Sequence, residues 1–150
     1  MRIKSIVVGT VCLLVAGIAF ADLEPWKDYE ESQAVWSVTT VKVHSNMGDA
    51  YLEGLRETWI PGNKISQQLG QIEEWHIYRS DLPNSGDFNL MLVVKFANTE
   101  KLAPNKAEYE KFMAKFTKEQ ADRTTEYAQK NYPGMREITG DYLMREITIK

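Results

Sequence analysis

The chain has few of the residues on which thiol and metal chemistry depend. Its 150 residues include one cysteine, Cys12, and two histidines, His44 and His76. Because Cys12 lies in an apolar N-terminal segment that we expect to be removed, thiol catalysis, thiolate metal sites and iron–sulfur clusters are excluded in the mature chain. The sequence also has no glycine-rich phosphate loop, no G-x-S-x-G, no H-E-x-x-H and no internal repeat.

The first 21 residues have the composition of a secretory signal peptide. Arg2 and Lys4 form a basic start, residues 6–20 carry no charge, and a small-residue cleavage pattern ends at Ala21, so cleavage is expected before Asp22. The apolar run is shorter than the roughly 20 residues that span a bilayer. An uncleaved anchor is the alternative. Export without disulfides predicts a periplasmic or secreted protein.

Removal of this segment leaves 16 Lys and Arg residues against 21 Asp and Glu, a net charge of −5. Nucleic acid is not an expected partner, because binding it needs a net basic face. The remaining residues are enough for one domain. They begin with an acidic segment, 22–33, which forms either an extended arm that docks on a neighbour or a frayed terminus.

Alternating, β-branched segments predict four strands, at 34–44, 73–80, 88–98 and 137–149. The middle two are separated by a stretch dense in turn residues, which predicts an antiparallel hairpin.

Helical spacing predicts two long helices between these strands. Asn46 is the predicted N-cap of the first, which continues to Ile72 with Pro61-Gly62 inside it. We interpret Pro61-Gly62 as a kink in one helix rather than its end. Asn105 is the predicted N-cap of the second. It ends at Pro133-Gly134, and residues 117–120 could mark a break.

This order, β-α-β-β-α-β, predicts a ferredoxin-like α+β domain over residues 34–150, with an antiparallel sheet and both helices on one face. The other face would carry Trp36, Val38, Met91 and Val93. Because that apolar surface would be unusual for a monomer, we expect a second copy to pack on it, sheet to sheet.

The predicted domain resembles the dimeric α+β barrel superfamily, in which two ferredoxin-like sheets pair into a barrel. The resemblance rests on element order, long helices and a two-sided sheet, without a signature motif. Members include antibiotic-biosynthesis-type monooxygenases, haem-degrading enzymes, stress-responsive proteins and small secreted proteins of unassigned activity, and the chain is most similar to the last group. The resemblance implies a homodimer, and it does not fix an activity.

The superfamily also suggests candidate catalytic residues. Its haem-degrading members use a helical histidine that this chain lacks, so no cofactor is expected. Its cofactor-independent monooxygenases often place an asparagine and a tryptophan at the cavity, and Trp59 and Asn63 lie four residues apart on the first helix. With His76 and Tyr78 they would form an oxygenase-type site, provided that Asn63 and His76 point into one pocket. Otherwise Trp59 belongs to the core, and Asn63 satisfies backbone freed by Pro61.

A ligand-binding hypothesis rests on polar groups among aromatic and sulfur side chains on one side of the predicted sheet: Thr40, Lys42, His76, Tyr78, Met91, Lys95, Tyr142, Met144 and Glu146. A mostly apolar pocket with a few convergent polar groups suits small-ligand recognition. The same residues could instead fill a closed dimer core, with Lys95 paired to Glu146. A β-bulge, expected at Gly140, would invert part of the set.

His44, His76 and Glu74 could form an open metal site if they converge. We instead expect no metal, with His44 exposed at a strand end and His76 hydrogen-bonded. The sequence therefore favours an exported protein that binds a small, partly apolar molecule in a cavity between sheet and helices. The alternatives are a cofactor-independent monooxygenase-like enzyme and a non-catalytic structural or interaction module.

Overall fold

A computed structural model describes residues 22–82 and 85–150 of the chain. The predicted signal peptide, residues 1–21, lies outside these ranges, so its cleavage stays a prediction. In the described ranges no helix is long and apolar enough to cross a membrane.

In the described part of the chain, six strands form two separate antiparallel sheets. They are β1 (Tyr29–Glu31), β2 (Val35–Val43), β3 (Glu74–Arg79), β4 (Leu90–Phe96), β5 (Arg136–Met144) and β6 (Ile147–Ile149). The main sheet has the order β3-β4-β2-β5, with every neighbouring pair antiparallel. With helical connections after β2 and β4, this is the predicted ferredoxin-like β-α-β-β-α-β arrangement, which is confirmed.

Each of the two predicted long helices is divided into two shorter ones. Among residues 22–82 and 85–150 the resulting helices are α1 (Gly48–Glu57), α2 (Trp59–Gln68), α3 (Lys106–Lys115) and α4 (Lys118–Asn131), and short 3-10 helices cover Thr99–Leu102 and Tyr132–Gly134. The second division, at Phe116 and Thr117, falls where a break was predicted, and Thr117 Oγ1 accepts a hydrogen bond from the Gln120 amide. Asn105 Oδ1 accepts from the Glu108 amide, so the predicted N-cap of α3 is confirmed.

The interruption of the first predicted helix is not at Pro61-Gly62. It lies at Thr58, whose φ of −118° and ψ of −69° separate α1 from α2. Pro61 is the third residue of α2, in the first turn, where backbone amides have no partner within their own helix. The interpretation of Pro61-Gly62 as the kink in one continuous helix is therefore wrong.

The predicted N-cap of the first helix is also corrected. The cap position belongs to Met47, with no side-chain hydrogen bond, and Asn46 precedes it with a φ of +64°. Asparagine tolerates this left-handed conformation better than most residues. Asn46 therefore forms the turn that leads into α1 rather than capping it.

The core lies between the helices and one face of the main sheet. Val41 and Leu90 from the sheet and Tyr51 and Leu55 from α1 are at most 2% exposed. Gly54 allows the close approach of α1 to the chain's C-terminal half. A Cβ added there would lie 2.9 Å from a ring carbon of Tyr127 and 3.0 Å from one of Tyr132.

The acidic segment 22–33 is paired within the chain, not frayed. In it, β1 pairs with β6, and Lys150 Nζ lies 2.6 Å from the Glu30 carboxylate. The guanidinium of Arg145 donates to the carbonyls of Ser32 and Gln33, both at 2.9 Å. The predicted last strand is consequently divided after Met144 into β5 and β6.

The expected β-bulge at Gly140 is present. Thr40 of β2 pairs with Gly140, but the next residue, Val41, pairs with Ile138, which leaves Thr139 as the extra residue. A Cβ on Gly140 would lie 2.7 Å from the hydroxyl oxygen of Tyr142, so the Tyr142 ring folds back over this glycine.

Candidate functional site

The main sheet presents one face to the helices and one face away from them, which we call the open face. Because side chains alternate along a strand, the core residues Val41 and Leu92 place their neighbours Thr40 and Met91 on the open face. All but one of the predicted ligand-binding residues lie on this face by strand register. The exception, Glu146, lies between β5 and β6.

A charged cluster lies at the β3–β4 side of the open face. Lys95 Nζ is 3.1 Å from a carboxylate oxygen of Glu74 and 3.3 Å from one of Glu73, and it lies 5.2 Å from the ring centre of Trp36. The other oxygen of Glu74 is 3.1 Å from Nε2 of His76. The hydrogen bond with His76 and then the one with Lys95 lower the pKa of Glu74, and Glu74 raises the pKa of Lys95. Within this chain Lys95 therefore pairs with Glu73 and Glu74, not with Glu146.

Two further polar side chains of the open face, those of Thr40 and Lys42, also have partners. Thr40 Oγ1 donates to the Gly140 carbonyl at 3.2 Å and accepts from the Thr139 hydroxyl at 2.9 Å. Lys42 Nζ donates to the carbonyls of Ser85 and Gly86, at 2.7 and 2.6 Å. Besides Glu137, which is opposite Lys42 in the strand register, the face exposes aromatic and sulfur-containing side chains: Tyr78, Tyr142 and Met144 are each half-exposed or more.

The two histidines do not meet. His44 follows the last residue of β2, and its Nδ1 lies 3.1 Å from the Gly134 carbonyl oxygen. His76 pairs with Val93, which pairs with Val38, so six residues of β2, about 20 Å of strand, separate the two rings. Within the described ranges no group of three His, Cys, Asp or Glu side chains is placed to hold a metal ion.

A cavity of about 510 Å³ lies on the other side of the sheet, beneath α2 and α3. We call it the helix-side cavity. Its sheet wall is formed by Ser37 of β2 and by Val94 and Phe96 of β4, and α3 adds Phe112. The lining is completed by two residues of α2, two loop residues and six residues from the segment before and at the start of α3: Asn63, Ser66, Gln71, Ile72, Glu100, Lys101, Ala103, Asn105, Glu108 and Tyr109. Its volume falls within the range of small-molecule sites.

Polar contacts hold the edge of the helix-side cavity together. Gln71 Nε2 donates to the Glu108 carbonyl at 2.8 Å, and Lys101 Nζ donates to the Gly70 carbonyl at 3.2 Å. Lys111 Nζ lies 2.9 Å from the Glu108 carboxylate. The hydrogen bond with Lys111, followed by the one with Gln71, lowers the pKa of Glu108, so this carboxylate is ionised at neutral pH.

The four candidate catalytic residues are divided between the two sides of the sheet. Trp59 is partly buried against the hydrophobic core, and its ring packs edge-on against Trp75, with ring centres 5.5 Å apart. Asn63 lines the helix-side cavity, and its amide nitrogen donates to the Trp59 carbonyl at 2.8 Å. His76 and Tyr78 lie on the open face. The condition for the enzyme hypothesis, Asn63 and His76 in one pocket, is not met within this chain.

Sequence reasoning missed Ser37, Ser66 and Phe112 as cavity residues. Ser37 had a usable signal, because it is a small polar residue on the strand face that also carries the buried Val35 and Val41. A hydroxyl on a core face marks either a packing fault or a polar site. Ser66 and Phe112 had no such signal, since their meeting depends on how α2 and α3 lie over the sheet.

A second hollow, of about 700 Å³, lies at one end of the sheet. Lys42, His44, Arg79 and Asn89 are among its lining residues. Two of its polar side chains form hydrogen bonds with the surrounding backbone. Lys42 holds the carbonyls of residues 85 and 86, and the Asn89 side chain bonds both the amide and the carbonyl of Val43. We therefore consider the helix-side cavity the better candidate for a ligand.

These features define the class of protein: a ferredoxin-like α+β domain with a cavity between sheet and helices. Comparison with protein-family models and with curated protein sequences finds no match.

Several solved structures are similar in fold. HapK from Hahella chejuensis is 12% identical over 75% of this chain and 91% of its own, with a TM-score of 0.45. A NIPSNAP-like domain protein from Burkholderia xenovorans is 11% identical over 79% of this chain and 85% of its own, at 0.43. A dimeric ferredoxin-like protein of unknown function from Bacteroides fragilis is 12% identical over 81% of this chain and all of its own, at 0.42. Identities and TM-scores this low assign neither a superfamily nor an activity or ligand to this chain.

Proposed function

We propose that this protein is exported and binds a small, partly apolar molecule in the helix-side cavity. The observation that carries the proposal is the cavity itself, a space of about 510 Å³ with Ile72, Val94, Phe96 and Phe112 among its lining residues. Apolar walls with a few polar groups are typical of sites that bind small molecules by burial and orient them by hydrogen bonds. Export is supported by the pattern of residues 1–21 and by the absence of cysteine from residues 22–150.

We further propose that two copies pair through their open faces. Half-exposed Tyr78, Tyr142 and Met144 form an apolar surface that no element of the described chain covers. The face carries charges of both signs, and the positive charge of Lys95 is neutralised by the neighbouring Glu74. A near-neutral, apolar sheet can meet an identical sheet without like-charge repulsion, which makes a second copy the best-fitting occupant.

The experiment is native mass spectrometry of the full chain expressed in a Gram-negative bacterium and purified from the periplasm. We expect an N-terminus at Asp22, a dimeric mass and a retained small molecule. Ser66→Phe, which places a ring in the cavity, should lose the molecule and stay dimeric. Tyr142→Glu, which places a charge on the open face, should weaken the dimer and keep the molecule.

The outcomes separate the parts of the proposal. A cytoplasmic precursor that is never processed contradicts export. A wild-type monomer contradicts the open-face contact. A bound molecule that Ser66→Phe does not displace contradicts the helix-side cavity as its site.

A further inference from the structure

The polar groups of the helix-side cavity that are free to bind a ligand are uncharged. Among the described residues, no hydrogen bond engages the hydroxyls of Ser37 and Ser66 or the amide oxygen of Asn63. The nitrogen of the same amide is committed to the Trp59 carbonyl, at 2.8 Å. The Asn63 side chain is therefore oriented by its own helix and offers the cavity an acceptor, not a donor. All three residues are half-buried, and these polar atoms remain accessible to a ligand in the cavity.

The charged groups that line the cavity are already engaged or exposed. Glu108 is held by Lys111 and Gln71, Lys101 is bonded to the Gly70 carbonyl, and Glu100 is exposed. Lys101 and Glu100 have no ion-pair partner within the described ranges, but both are exposed, so solvent screens their charges from a ligand charge buried beside Val94 and Phe96. Burying a ligand charge against that wall would leave the charge unpaired, which is strongly unfavourable.

The apolar part of the lining is rich in rings. Phe96 from the sheet and Phe112 from α3 both line the cavity, and Phe112 is tilted by 36° against Phe116, with ring centres 5.3 Å apart. Phenyl rings on two walls favour a flat or cyclic ligand body, because rings pack well against one another in offset and edge-on arrangements.

We infer that the ligand is an uncharged ring compound whose hydroxyl group donates a hydrogen bond to Oδ1 of Asn63 while its ring contacts Phe96 and Phe112. This inference rests on the proposed function and specifies its ligand class. The hydroxyls of Ser37 and Ser66 are available to a second polar group on the ligand, as donors or acceptors.

The test compares probes of one shape and different charge. Binding of 1-naphthol, 1-naphthoate and 1-naphthylmethylammonium to the purified protein is measured by isothermal titration calorimetry at neutral pH, with 1-methylnaphthalene as the probe that lacks the hydroxyl. We expect 1-naphthol to bind about tenfold or more tightly than either charged probe.

A matched pair of variants tests the hydrogen bond. Asn63→Leu should weaken 1-naphthol binding by up to about tenfold, as expected for one hydrogen bond, and leave 1-methylnaphthalene binding unchanged. Lys64→Leu, the same replacement at an exposed neighbour on α2, should change neither.

Equal or tighter binding of a charged probe overturns the inference and leaves the proposed cavity standing. Equal losses of 1-naphthol and 1-methylnaphthalene in Asn63→Leu overturn the role of the Asn63 oxygen. Failure of every probe to bind also overturns the inference, and the proposed function falls with it only if the periplasmic protein retains no molecule in its cavity.

Discussion

Replacement of Gly54 and of Gly62 by alanine should have opposite effects on stability, because only Gly54 lies at the contact between α1 and the C-terminal half of the chain. Gly54→Ala adds a methyl group 2.9 Å from Tyr127 and 3.0 Å from Tyr132, whereas the methyl of Gly62→Ala meets only Phe112, at 3.8 Å. Both positions lie inside helices, so alanine should gain helix propensity at each, by up to about 1 kcal/mol. Only at Gly54 must a neighbouring ring move.

The Tyr132 ring has little room to withdraw. Its side chain is 8% exposed, its hydroxyl is hydrogen-bonded to Thr58, and the Arg136 guanidinium lies 4.8 Å from its ring centre. Overpacking a core of this kind costs roughly 1–3 kcal/mol. After the gain in helix propensity, we expect Gly54→Ala to lower the free energy of unfolding by about 1–2 kcal/mol and Gly62→Ala to raise it by up to about 1 kcal/mol.

Urea unfolding of the wild type and both variants, followed by circular dichroism, measures these differences. The midpoints should move in opposite directions with unchanged slopes, because the surface exposed on unfolding stays the same. If Gly54→Ala is as stable as the wild type while Gly62→Ala gains, the close approach of α1 to Tyr132 is wrong. If both gain equally, the packing of α4 beneath α1 is wrong as well.

Three further predictions concern single side chains. Tyr51→Phe removes a buried hydroxyl that has no hydrogen-bond partner among the described residues and whose pKa is raised to about 12 by burial. Thermal unfolding should therefore show a stability that is unchanged or raised by up to about 1 kcal/mol. A loss of stability of more than about 1 kcal/mol would show that the hydroxyl is hydrogen-bonded. Asn105→Ala removes the N-cap of α3 and should cost about 1 kcal/mol in urea unfolding, whereas Asn105→Asp, which keeps an acceptor, should cost much less; equal losses would contradict capping. Because the folded pKa of Glu74 is lowered, its stabilising contribution is present above the unfolded pKa and lost as pH falls through the folded one. Glu74→Gln should therefore lower the urea midpoint at about pH 7 and not at about pH 3, and equal losses at both would contradict the ion pair.

Much of the fold could be predicted because it follows from local patterns. Alternation located the strands, the turn-rich stretch located the hairpin, and Gly140 marked the bulge. The division at Thr58 was missed because one of its contacts is distant in sequence: the Thr58 hydroxyl, which donates to the nearby Gly54 carbonyl, is also bonded to Tyr132. A local rule instead predicted a kink at Pro61 within one continuous helix. The pairing of β1 with β6 likewise joins the two ends of the described chain and leaves no local signal.

The site was harder to predict than the fold. Alternation placed most of the predicted ligand-binding residues together on one face, but it could not tell which face borders a cavity. That depends on the space left between α2, α3 and the sheet, which follows from the tertiary packing of Phe112 and Ile72. Asn63, proposed from the sequence as a catalytic candidate, lies at that cavity, while His76 and Tyr78 do not.

The most direct measurement of the central claim maps where a neutral ligand binds. In a titration of isotope-labelled protein with 1-naphthol, NMR chemical-shift changes should be largest at the helix-side cavity, at Ser37, Ser66 and Val94. Residues of the open face such as Met91 and Tyr142 should change little. Changes centred on Met91 and Tyr142, with Ser66 and Val94 unaffected, would place the site on the open face and contradict the helix-side cavity as the binding site.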